Sequence, residues 1–143
     1  MEKLLEEYRC GYQLLRKSFV LSLKLTNGAF IRFSSMWQIP NWYPPRKVLS
    51  EEAPLLMSFD QDTWANTLEY EKLDSDQHLL LFKLLRSGML PILEQLPAQK
   101  WGREGIYADA GPFTLKQLLE YRVEHIQGHL AQIARVREAY WLR

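Results

Sequence analysis

The 143-residue chain is 47% apolar and 24% charged, which predicts one soluble globular domain over residues 1–143 with a core of its own. Eighteen basic residues against seventeen acidic ones leave a net charge of +1, which argues against a nucleic-acid partner and against an anionic membrane surface. A single cysteine, Cys10, excludes an internal disulfide and suits a reducing, cytoplasmic compartment.

The N-terminal "MEKLLEEYR" is acidic and lacks an apolar run, so it does not read as a signal peptide. No later stretch is apolar for long enough to span a bilayer. Leu4, Leu5, Tyr8, Tyr12, Leu15 and Phe19 recur at three- and four-residue steps. They predict an amphipathic helix over residues 2 to about 18, with Cys10 a buried, inert thiol within it.

Residues 20–46, "VLSLKLTNGAFIRFSSMWQIPNWYPPR", differ in character. Charge shrinks to Lys24, Arg32 and Arg46, and Pro40, Pro44 and Pro45 oppose a helix. "LSLKLTNGAFIRF" alternates around Asn27-Gly28, a hairpin signal. Propensity therefore predicts a hairpin and then an irregular, aromatic-rich segment. Residues 47–73 read as a helix end, a loop and a short helix that Asp60 or Asp62 could cap.

"DSDQHLLLFKLLRSGMLPILEQL", residues 74–96, predicts a long apolar helix capped by Asp74, Ser75 and Asp76, with a kink at Gly88 and Pro91. "PAQKWGREGIYADAGPF" follows as a loop, its Trp101, Tyr107 and Phe113 reading as packing residues rather than a base-stacking platform. The last helix, from 115 to about 141, has the plainest signature. Thr114 caps it, Gln117 completes a capping box, and Phe113 can staple onto Leu118. Leu115, Leu119, Val123, Ile126, Leu130 and Ile133 form its core stripe.

On that helix, "EHIQGHLAQI" puts His125 and His129 four residues apart, beside the core stripe. This spacing stacks two imidazoles on one face, as a helix offers two nitrogens to a metal. A zincin helix would need Glu directly after the first histidine, and Ile126 stands there instead. The pair alone reads either as half of a metal site or as two polar residues on a helix margin. Gly128 between them allows a close backbone or ligand approach, or is neutral. His78 opens its helix and reads as solvent-facing. Neither a glycine-rich phosphate loop nor a nucleophile elbow is present.

A resemblance adds to this. Leu96-Pro97, Trp101, Gly111-Pro112, Thr114-Leu115, His125, His129, Gln132 and Ile133 occur in the order seen in the C-terminal half of DinB/YfiT-like proteins. "LLEEYRCGYQLLRKSF" resembles their first helix, so the likeness covers residues 1–18 and about 47–143. It implies an all-α fold, a DinB/YfiT-like four-helix bundle with one long crossover, whose second helix is here disrupted or replaced by the hairpin and irregular segment. The resemblance also implies a bacterial, cytoplasmic metal-dependent enzyme acting on a small molecule, either a thiol-dependent S-transferase or hydrolase-like. Three histidines hold the divalent metal (Zn, Ni or similar) in that family, one on the second helix and two on the last. His125 and His129 carry over as the last pair, and a low-molecular-weight thiol is the implied co-substrate. The competing reading is a non-catalytic helical domain, monomeric or homodimeric, that binds no metal.

The third ligand is missing from its expected place, and the codons suggest why. Read from each third base, "MWQIPNWYP" yields Val-Ala-(Asp or Asn)-(Ser, Thr or Pro)-(Glu, Gln, Lys or stop)-Leu-Val-(Ser or Pro). The Ser35/Met36 junction can encode His, and Asn27-Gly28 can encode Trp. The shifted frame can spell "WSIHxVFVHVADSELV", the second-helix pattern of the family. Residues from about 20 to 46 therefore read as out of frame relative to it, through sequencing error or compensating indels. The competing account is a diverged segment with coincident codons. As written, the chain holds two of three ligands and lacks a helix worth about a quarter of a four-helix core. Resequencing the coding region is expected to locate a pair of frame disruptions bounding this segment; an unbroken frame relative to close relatives would overturn the reading.

Overall fold

A computed structural model describes residues 1–22 and 38–141 of the chain. Its helices are α1 (Glu2–Ser22), α2 (Gln38–Ser50), α3 (Gln61–Thr67), α4 (Ser75–Glu94) and α5 (Leu115–Trp141). Three short strands accompany them: β1 (Leu55–Leu56), β2 (Glu104–Tyr107) and β3 (Gly111–Thr114). Helices α1, α2, α4 and α5 make a four-helix bundle, in which α1 and α2 each pack against both α4 and α5. The long connection from α2 to α4 carries β1 and α3. None of the described helices is long and apolar enough to cross a membrane.

The core follows the sequence pattern. Tyr8 of α1, Val48 of α2, Met89 and Leu93 of α4, and Leu115, Leu119 and Val123 of α5 are buried in one cluster. Trp101 joins it from a 3₁₀ turn over Ala98–Gly102, so this aromatic serves packing. Helix ends sit where the caps predict. Asp74 accepts from the Gln77 amide at the start of α4. Asp60, rather than Asp62, caps α3 by accepting from the amides of Asp62 and Thr63. Helix α4 continues through Gly88 and Pro91 to Glu94.

Three local expectations differ from the structure. Most of the expected hairpin falls on residues 23–37, outside the described residues, but Leu21 and Ser22 extend α1. No breaker precedes Asn27-Gly28, so the first helix has no local reason to stop at 18. The expected irregular run also gives way to helix from Gln38 to Ser50, with Pro44 and Pro45 inside it. A proline in a helix interior removes a donor and costs about 3 kcal/mol. Tertiary packing overrides that propensity here: Pro44, Pro45 and Val48 are all buried against the bundle. The C-terminal carbonyls of α2, orphaned by geometry, are also satisfied. Arg103 donates from Nε to the Val48 carbonyl at 2.8 Å and from Nη2 to that of Glu51.

The segment before α5 was expected to be a plain loop, yet it folds into a β2–β3 hairpin. Glu104 pairs with Thr114 and Tyr107 with Gly111. Gly111 at φ +79° closes the turn, a conformation that favours glycine. β1 adds in parallel, Leu55 opposite Ile106. Strands this short, without alternation, leave little periodic signal.

Gly105 lets this sheet approach α2. A Cβ there would lie 2.7 Å from Val48 Cγ2 and 2.8 Å from Leu56 Cδ1. Gly105→Ala is expected to destabilise the fold by about 1–3 kcal/mol through overpacking. Gly88→Ala, in open space within a helix, should instead be neutral or stabilising by up to about 1 kcal/mol. Urea denaturation of both variants measures the contrast; equal effects would contradict the close approach at Gly105.

Candidate metal centre

The site begins at the first turn of α5. The Thr114 amide and hydroxyl donate to Gln117 Oε1 at 2.9 and 3.0 Å, and the Gln117 amide donates to Thr114 Oγ1 at 3.1 Å. This is the predicted capping box. It sets the phase of the helix, so Leu115, Leu118, Leu119, Val123 and Ile126 all bury. Tyr121, Arg122, His125 and His129 then follow at three- and four-residue steps along the adjoining face.

The structure brings the two predicted histidines together. Their Nε2 atoms are 2.5 Å apart and their ring centroids 4.5 Å. Gln132 Oε1 lies 3.2 Å from His129 Nδ1, on the far side of that ring. A proton on Nδ1 shared with Gln132 leaves the Nε2 lone pair facing His125. Tyr121 stacks beside His125, centroid to centroid 5.6 Å, at a tilt.

Both rings are half-buried, and their environment favours the neutral form. Burial pushes His125 down to about 4, with His129 and then Arg122 adding repulsion. Burial also lowers His129, against the opposing pull of Gln132. Neutral imidazoles are the form that binds metal.

These features fit two ligands of one ion. With metal–nitrogen bonds of about 2.0–2.1 Å, two imidazoles at tetrahedral angles would sit about 3.4 Å apart. Small side-chain rotations open the pair to that spacing. The described residues supply no further member: no group of three His, Cys, Asp or Glu side chains converges among them. His78 is half-buried in the first turn of α4 and does not join the pair. Cys10 is half-buried rather than fully buried, bonds to Glu6 at 3.2 Å, and has its pKa raised chiefly by that bond. That makes it a poor nucleophile. Gly128 is exposed, with nothing within 4 Å of a Cβ built there, so no close approach explains it among the described residues.

Sequence reasoning missed the arginines behind the site. Arg86 and Arg122 are only 4% and 2% exposed. Arg86 donates from Nε and Nη2 to the Tyr8 carbonyl and stacks 3.6 Å from the Tyr8 ring centre. Arg122 bonds to Tyr107, and its Nε has no partner among the described residues. Among these residues no carboxylate is one of the charges acting on either group. The available signal was spacing: Arg122 stands three residues before His125, one turn away on the same face. In front of Arg122 opens a cavity of about 570 Å³, walled by Tyr43, Phe59, Trp64, Tyr107 and Phe113. Tyr121 lines this cavity and also touches His125.

The lowered histidine pKa values carry a stability sign. The folded chain takes up the His125 proton at lower pH than the unfolded chain does. Its contribution is therefore fully present above about pH 6.5 and is lost as pH falls toward about 4. Urea midpoints of the metal-free chain are expected to drop across that window, and His125→Gln should flatten the drop. An acid slope unchanged in the variant would remove His125 as its cause.

No family model matches the chain. Over 86 residues it is 34% identical to a protein of Bacillus licheniformis named "putative metal-dependent hydrolase", covering 59% of this chain and 49% of that one. The match thus spans about half the length of the curated relative. Among solved structures, YfiT from Bacillus subtilis is described as a probable metal-dependent hydrolase with an unusual four-helix bundle topology. It superposes with a TM-score of 0.87 at 17% identity, covering 97% of this chain and 86% of YfiT. The bundle and this superposition give the chain the four-helix-bundle fold of YfiT.

Proposed function

We propose that the chain is built as a metal-dependent enzyme of hydrolase-like type, with His125 and His129 as two of three ligands to a divalent ion. The carrying observation is the convergence of two half-buried imidazoles beside Tyr121, which also lines an apolar cavity. The printed names of the two similar proteins agree with metal dependence. The described residues complete two-thirds of a three-histidine site, so the written chain is an impaired form of that enzyme. A third ligand belongs to the second-helix pattern that the shifted reading frame spells.

The buried arginines support the same reading. The shifted frame offers Asp or Asn across Gln38/Ile39, and Glu, Gln or Lys across Pro40/Asn41. Both junctions lie at the start of α2, which packs against the helices bearing Arg86 and Arg122. A restored acid there would give Arg86 a counter-charge that the described residues do not supply.

A late divalent ion such as Zn or Ni suits imidazole donors and would supply Lewis acidity, lowering the pKa of a nearby water or thiol. The finer assignment is transfer of a low-molecular-weight thiol, as the nucleophile, to a small-molecule acceptor. The residues themselves have separate tasks. His125 and His129 bind. Gln132 holds the His129 ring and its tautomer. Tyr121 packs on His125 and limits its rotation. Phe113 and Leu118 exclude water from the cavity.

The absence of a third ligand among the described residues favours a second reading, a metal-free helical domain that can self-associate. Equilibrium dialysis against Zn and Ni separates the two. The written chain should retain metal weakly, and a frame-restored chain stoichiometrically. His125→Ala in the restored chain should weaken binding at least about tenfold, since even outer-shell losses cost that much. A restored chain that retains no metal, and runs as a dimer, would replace the enzyme reading with the second.

A further inference from the structure

The cavity beside the histidine pair has one charged wall. Its volume of about 570 Å³ lies in the range of small-molecule pockets. Tyr43, Phe59, Trp64, Tyr107 and Phe113 make its surface aromatic, and Met57 is 78% exposed at its edge. Among the described residues that line it, Arg122 is the single charged one. Its guanidinium is buried, remains a cation under ordinary conditions, and keeps a donor, Nε, that no described residue partners.

Each fact has a plain physical consequence. A buried cation lacking a counter-ion costs stability, and an anion brought to it recovers that cost in a low-dielectric setting. A guanidinium matches a planar carboxylate, with two N–H groups meeting two oxygens. The aromatic walls supply flat apolar contact to whatever carries the charge. Among the described residues Glu, Asp and Lys are absent from the lining, so of these only the Tyr107 hydroxyl competes for Arg122.

We infer that this cavity binds an aromatic or otherwise apolar carboxylic acid, its carboxylate on Arg122 and its apolar body against Tyr107, Phe113 and Trp64. The orientation deepens the proposed function and rests on that reading. Arg122 precedes His125 by three residues, about 4.5 Å of helical rise, with Tyr121 forming the wall between. A carboxylate held on Arg122 is thereby about one helical turn from the residue that bears the first imidazole. The acid site itself stands without a metal.

The test uses the full chain stripped of metal with chelator, so that failure of the metal reading leaves it intact. 2-Naphthoate and its uncharged partner, 2-naphthamide, are titrated by calorimetry and by tryptophan fluorescence, at low and high salt. The acid is expected to bind at least about tenfold more tightly than the amide, since a hydrogen bond to a charged group supplies that much. The preference should persist at high salt, because a buried pair is weakly screened. Arg122→Gln should erase the preference while leaving amide binding in place. If that variant does not fold, Arg122→Lys retains the charge and should give an intermediate ratio. Trp64→Ala should weaken acid and amide equally. Equal binding of acid and amide, a preference lost at high salt, or one undiminished in both Arg122 variants would overturn the assignment.

Discussion

Arg103 holds two helix ends at once. Its side chain satisfies the Val48 and Glu51 carbonyls at the end of α2. Its own carbonyl accepts from the Leu115 amide at 2.8 Å, at the start of α5. The Val48 carbonyl lies in the buried part of that end, where leaving a polar group orphaned costs about 1–3 kcal/mol. The residue also opens the hairpin whose Gly105 lies against Val48 and Leu56. From this junction the capping box starts α5 in a defined phase. Tyr121, Arg122, His125 and His129 then inherit their directions from a point about two to four turns away.

Much of this was legible because it is local. A capping box is four residues long, and Thr114 and Gln117 announce it without help from the rest of the chain. The apolar stripe of α5 and the Asp74 cap of α4 are equally short-range. The histidine pair was legible as a pair, since i and i+4 share a face of any helix. What stayed hidden depends on partners distant in sequence. Pro44 and Pro45 argue against a helix until Val48 and the bundle are seen to bury them. The hairpin strands are four residues each and show no alternation. Arg86 and Arg122 look like ordinary surface cations in a chain of balanced charge, and only the packing shows them inside.

The interior is charged where the exterior is nearly neutral. A net charge of +1 over the whole chain conceals two guanidinium groups with little or no exposure. Arg86 is partly compensated by a backbone carbonyl and by the face of Tyr8. Arg122 has less, and it is the one beside the cavity. Electrostatic character here follows from depth rather than from count, and composition carries no record of depth.

The placement of both histidines on a single helix bears on how metal and folding are coupled. An ion held by His125 and His129 alone would brace one turn of α5 and bridge nothing else. Its binding free energy would then raise local helix stability while leaving the separation of α5 from α1, α2 and α4 unaffected. A ligand contributed by a second helix changes the thermodynamics in kind, because the ion becomes a cross-link that only the assembled bundle can form. Binding free energy is then folding free energy. The histidine pair thus marks a boundary between two proteins of nearly one sequence: one that tolerates metal as a passenger, and one that needs it to stay closed.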